Sequence, residues 1–95
     1  MAYVVCATWT AKEGEEDAVL EAAQHLLEES PKEEGILFYQ AHRDPQNPRV
    51  FFFYEQYRDE AAYQAHVESE HFKRWGFGDA IPRLLERRRE FYETI

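Results

Sequence analysis

His66 and His71 stand five residues apart in the stretch AHVESEHFKRW, just after an aromatic run, VFFFYEQY, that carries Glu55. Two imidazoles and a carboxylate beside so many rings suit one of two chemistries, holding a metal or moving a proton. A metal-binding pair on a helix normally sits at i and i+4, so that both side chains share a face. At about 100° per residue, the i and i+5 spacing puts these two rings about 140° apart. They converge only if the helix is broken between them. His66 and Glu70 do share a face, but two ligands are too few. The chain has no cysteine pair and no H-E-x-x-H. No resident metal or other cofactor is therefore expected.

Proton transfer suits the residues better. An imidazole titrates nearer neutrality than any other side chain. Tyr63, His66, Val67 and Glu70 form a partly apolar stripe, which places His66 at the edge of a buried face. Glu55 shares its strand face with Phe51, Phe53 and Tyr57, and a carboxylate in that company needs a partner or a raised pKa. A histidine or tyrosine from the following helix could be that partner. A catalytic base and a satisfied structural pair are both consistent with this pattern.

The remaining candidates are supporting ones. Trp9, Tyr39, Phe53, Tyr63, Trp75 and Phe77 could line an aromatic pocket or simply build core. His25 falls among glutamates and reads as a surface or boundary residue, whereas His42 nears the end of a strand, facing a cavity or solvent. Cys6, mid-strand and without a basic neighbour, reads as a buried, inert thiol. Phosphate loops, nucleophile elbows and dinucleotide fingerprints are missing.

These side chains need a frame. AYVVCATWT is β-branched and aromatic and reads as a first strand. After a turn at Lys12–Gly14, Val19, Leu20, Ala23, Leu26 and Leu27 recur three and four apart, predicting an amphipathic helix that Pro31 ends. Gly35 opens a second strand, ILFYQAHR; DPQNP turns the chain; VFFFYEQY is the third strand. Asp59 can N-cap a second helix over EAAYQAHVESEHFKRW, broken or bent at Gly76 and Gly78. A short helical piece in DAIPRLLER and a last strand, REFYETI, complete a β-α-β-β-α-β order. That order is the ferredoxin-like α+β arrangement, in a single domain over residues 1–95. The third strand is apolar on both faces, and helices can cover only one. A second copy packed sheet to sheet would cover the other, so a homodimer is expected.

The 95 residues carry a net charge of −8, 44% hydrophobic and 16% aromatic residues and one cysteine. That balance argues against nucleic acid as a partner, despite the short basic cluster Arg83, Arg87, Arg88 and Arg89. The lone cysteine excludes an internal disulfide. No apolar run reaches membrane-spanning length and no signal peptide opens the chain, which suggests a cytoplasmic protein without membrane contact.

The pattern Gly35, Tyr39, Asp44, Pro48, Phe51, Glu55 and Tyr57, followed by Ala62, His66, Ser69, His71 and Phe72, resembles the antibiotic-biosynthesis monooxygenase family. The segment YEQYRDEAAYQAHVESEHF is similar to that family's E-x-W…H-x-x-S-x-H-F signature, with Tyr57 standing where tryptophan is commoner. The resemblance spans essentially the whole chain. It implies a dimeric α+β barrel with a pocket in each protomer. It also implies oxygenation of a small electron-rich aromatic, a quinol or an anthrone, by dioxygen without metal, flavin or haem. By position, His66 and His71 match the family's helix-two histidines and Glu55 its strand-three carboxylate; either histidine could be the base. The family's haem-degrading members carry an asparagine on strand one, a tryptophan on helix two and a haem-ligating histidine after it. Here those places read CATW, His66 and the vicinity of Gly76, so haem degradation is disfavoured. Other relatives isomerise small phosphorylated sugars or have no known activity. A non-catalytic dimeric module that binds a small aromatic, or serves as a stress accessory, is the alternative function.

Overall fold

The computed structural model describes residues Met1–Ile95 throughout. Strands β1 (Tyr3–Ala11), β2 (Ile36–Arg43), β3 (Val50–Tyr57) and β4 (Leu84–Glu93) form one antiparallel sheet in the order β2-β3-β1-β4. Helices α1 (Glu16–Glu29) and α2 (Glu60–Val67) pack on one face. The chain thus has the expected ferredoxin-like order.

Alternation along β3 places the core. Phe51, Phe53, Glu55 and Tyr57 are buried, while Val50, Phe52, Tyr54 and Gln56 are half-exposed. The inner row meets Val5, Ala7 and Trp9 of β1 in direct register. Val19, Ala22, Ala23 and Leu26 of α1 close the layer, as their three- and four-residue spacing requires. The opposite face has no helix over it. Phe38 remains 49% and Tyr92 55% exposed there, and Cys6, half-buried, lies on the same face. Burial, followed by Glu90 and Glu55, pushes the Cys6 thiol up, which suits an inert group.

Two boundaries differ from expectation. The second helix is not continuous to Trp75. It stops at Val67, and helical structure resumes at Glu70 and runs as a π-helix from Phe72 to Ala80, through both Gly76 and Gly78. Ser69 makes the break. Its Oγ donates to the carbonyl of His66 (2.6 Å) and accepts from the N–H of Phe72 (3.2 Å), and its carbonyl accepts from Lys73. These are the bonds of an N-cap, so Ser69 starts a new helix instead of extending the old one. Gly76 leaves room in the wide turns for the Phe72 ring, which would lie 3.0 Å from a Cβ there.

The last strand begins at Leu84, five residues before the expected Arg89. LLERRRE looks helical by composition, but β1 offers a full row of pairing partners from Tyr3 to Ala11, and that pairing prevails. Of the expected short helix, Asp79 and Ala80 end the π-helix and Ile81–Arg83 form one further helical turn; the rest is strand. Charged residues are the usual occupants of such an edge strand. No helix is long and apolar enough to cross a membrane.

Candidate active site

Gly35 is where the site begins. A Cβ at this position would fall 2.5 Å from the Cβ of Ala62, so only glycine lets the entry to β2 press against α2. That contact brings the 3₁₀ turn Ser30–Lys32 and the following Glu33 alongside the end of α2. One carboxylate oxygen of Glu33, Oε2, then lies 2.7 Å from Nδ1 of His66 and 2.6 Å from Nε2 of His71. The two histidines do converge, because Ser69 breaks the helix between them. The premise that set them on different faces does not hold.

Burial would raise the Glu33 pKa, but hydrogen bonds and charge from His66 and then His71 outweigh it and hold the carboxyl below its usual range. An ionised carboxylate can only accept. Both imidazoles therefore donate to it, His66 through Nδ1–H and His71 through Nε2–H. In the neutral His66 ring this leaves Nε2 with a free lone pair. That atom is buried and no protein group hydrogen-bonds to it.

His66 is not at the edge of the core as expected; it is 1% exposed. Its ring is enclosed by those of Phe72, Tyr39 and Tyr57, at 5.0, 5.4 and 5.7 Å between centroids. With Val5, Ala7, Trp9, Phe53, Glu55, Tyr63, Arg87 and Arg89 it lines a cavity of about 20 Å³ between sheet and helices. This has room for about one water. Four of the six expected pocket aromatics are there: Trp9, Tyr39, Phe53 and Tyr63. Trp75 is not. The π-helix carries it to the outer surface, where it stacks on His25 at 3.8 Å, and Phe77 is 45% exposed. His71 reaches Glu33 but does not line the cavity. His42 is exposed, bonded through Nδ1 to the carbonyl of Phe52.

Glu55 lies in the cavity wall, but its partner is not a residue of α2. Tyr57, two residues along the same strand face, donates its hydroxyl to Glu55 Oε1 at 2.5 Å. Burial raises the Glu55 pKa, opposed by that hydrogen bond and by the charges of His66 and Arg87. Burial, then the Glu55 charge, pushes the Tyr57 hydroxyl well up, so Tyr57 stays a donor.

Glu33, Arg87 and Arg89 are the site residues that the sequence did not single out. Arg87 and Arg89 alternate inward on β4, opposite Trp9 and Ala7. Arg89 donates to the Tyr63 hydroxyl at 3.0 Å. The Nε of Arg87 is buried without a partner, and burial followed by the charge of Arg89 lowers the Arg87 pKa. Inward alternation from Phe91 would have found both arginines once β4 was extended. Glu33 carries no local signal except its place just before Gly35.

Arranged this way, the site combines an oriented imidazole, an aromatic enclosure and a cationic wall. A proton taken up at Nε2 would be stabilised through Nδ1–H by Glu33, the relationship of carboxylate to histidine in hydrolytic triads. Arg87 and Arg89 line the same cavity as His66, where their guanidinium groups favour an anion.

Residues 2–76 match the family model described as antibiotic biosynthesis monooxygenase. Among solved structures, a protein of Pseudomonas aeruginosa is 30% identical, with 99% of this chain and 94% of that one covered and a TM-score of 0.91. A structure described as an antibiotic biosynthesis monooxygenase is 26% identical, with 98% of each chain covered and a TM-score of 0.91. A conserved protein of Methanosarcina mazei is also 26% identical, with 100% and 94% covered and a TM-score of 0.90. No curated protein matches the sequence.

Proposed function

The chain belongs to the antibiotic biosynthesis monooxygenase family, and on that premise we propose that it is a cofactor-independent monooxygenase acting on a small electron-rich hydroxyaromatic, a quinol or an anthrone. The observation that carries this reading is the buried, unpartnered Nε2 of His66, whose ring is fixed by Glu33 against an aromatic-lined cavity.

In this reading Nε2 removes the phenolic proton. Arg87, with Arg89 beside it, holds the resulting anion, which is electron-rich enough to reduce dioxygen. One electron passes to dioxygen and the radical pair combines at a ring carbon as a peroxide anion. That anion recovers the proton from His66. Loss of water, taking the remaining hydrogen from the same carbon, leaves a carbonyl there. One substrate and one dioxygen thus give one quinone-type product and one water. Glu55 and Tyr57 stay paired in the wall. The cavity is smaller than an aromatic ring, so its wall must open to admit the substrate, and Arg89, exposed on the edge strand, is the part of that wall in contact with solvent. The uncovered sheet face, with Phe38, Phe52, Tyr54 and Tyr92, supports a homodimer in which two sheets meet.

Oxygen uptake by the wild-type protein on a panel of dihydroxyaromatics and anthrones tests the reading. Uptake above the spontaneous rate, with one quinone formed per dioxygen, is expected. No uptake on any member of the panel would favour the non-catalytic binding module.

A further inference from the structure

Glu33, His66 and His71 are also a set of cation ligands. Their three donor atoms lie within 4.8 Å of one another, and each comes from a different local segment: the turn before β2, the end of α2 and the start of the next helix. Zinc binds imidazole nitrogen and carboxylate oxygen at roughly 2.0–2.2 Å, which sets tetrahedral ligands roughly 3.3–3.5 Å apart. Withdrawal of the Glu33 oxygen by less than about 1 Å from each ring brings its two distances, 2.7 and 2.6 Å, into that range. The group is reachable, since the Glu33 and His71 side chains are 18% and 17% exposed. His71 also lines an open cleft where Glu28, Glu29 and Glu70 outnumber Arg74. Cations are therefore drawn to the mouth of the site.

We infer that Glu33, His66 and His71 form a binding site for zinc or a similar late first-row divalent cation, which occupies the place of the two protons the imidazoles share with Glu33. Two nitrogens and one oxygen favour such ions over magnesium or calcium. The ion would not touch a substrate, because neither Glu33 nor His71 lines the cavity. Its effect is on His66. Coordination through Nδ1 moves the ring proton to Nε2, turning the atom that faces the cavity from acceptor into donor. The cation is thus an off-switch for the base. This last consequence rests on the proposed monooxygenase reading; the binding and the change of tautomer do not.

The test is zinc titration of the chelator-treated protein by calorimetry, with imidazole ¹⁵N spectra recorded with and without the ion. One zinc per chain in the micromolar range is expected, with magnesium failing to compete. His71→Ala and Glu33→Gln should each weaken binding at least about 10-fold, while His25→Ala in the outer cleft should not. The His66 signals should change from the Nδ1–H to the Nε2–H form. Absence of saturable binding overturns the proposal. So does binding that is unchanged in both His71→Ala and Glu33→Gln, or binding that leaves the His66 tautomer as it was. Where oxygen uptake is found, zinc should suppress it in the wild type; stoichiometric binding at this site without suppression removes the switch. Failure of the monooxygenase reading shows instead as missing uptake in zinc-free protein.

Discussion

Nδ1 of His66 lies 2.7 Å from Oε2 of Glu33, a residue thirty-three positions earlier in the chain. That bond fixes which nitrogen of a buried ring carries hydrogen and which is free to react.

Glu33→Gln should therefore damage the site without unfolding it. Both imidazoles bond the same oxygen, Oε2; an amide oxygen can take its place with two lone pairs, but it is neutral, so both hydrogen bonds lose the carboxylate's charge. A stability loss of about 1–3 kcal/mol in urea unfolding is expected. Any oxygen uptake should fall to a rate between those of the wild type and His66→Ala. Unchanged stability and rate would show that the bond does not orient the ring.

Gly35→Ala tests how the fold delivers Glu33 to the helix. The new methyl group would meet the Cβ of Ala62 at 2.5 Å. Overpacking of this kind costs about 1–3 kcal/mol. Adding Ala62→Gly should return much of that loss. A neutral Gly35→Ala in chemical denaturation contradicts the close approach.

The frame of this site is far more legible in the sequence than the site itself. Strand β3 announces itself through its β-branched and aromatic run after the DPQNP turn, and Asp59 caps α2 as its position predicts, bonding the N–H of Ala62. The helical wheel misleads at His66 and His71 because Ser69 can extend a helix or cap the next one. Only the resulting packing shows that it caps. Glu33 is invisible as a partner because its contacts span 33 and 38 residues and no periodicity marks them. Arg87 is hidden by a run whose composition suits a helix until β1 is there to pair with it. Trp75 goes astray for the same reason as the histidines, since a wheel drawn through the break points it the wrong way.

Glu55→Gln should make stability depend less on pH. The Glu55 pKa is higher in the folded protein than in the unfolded chain, so the folded state binds more protons between the two values. The wild type therefore loses stability as pH rises from about 4.3, the ordinary glutamate value, through the raised folded pKa. Glutamine keeps an oxygen to accept from Tyr57 and carries no charge. Measured by urea unfolding, the stability of the variant relative to wild type should be greater at pH 8 than at pH 5. A constant or opposite difference contradicts the assignment.

The uncovered face of the sheet gives a prediction about assembly. Sedimentation at micromolar concentration should report about twice the 11.4 kDa chain mass. Phe52→Arg, at the centre of that face, should shift the protein to monomer while the fold persists. A folded wild-type monomer at that concentration contradicts the sheet-to-sheet dimer.

The most direct test of the central claim is the rate of oxygen uptake by His66→Ala, with and without added imidazole, on a substrate the wild type oxidises. A fall of ~10²-fold or more is expected, the scale of a lost general base. Partial recovery is expected when free imidazole enters the vacated space, which a purely structural histidine would not give. Full wild-type rate in folded His66→Ala would contradict the assignment of Nε2 as the base.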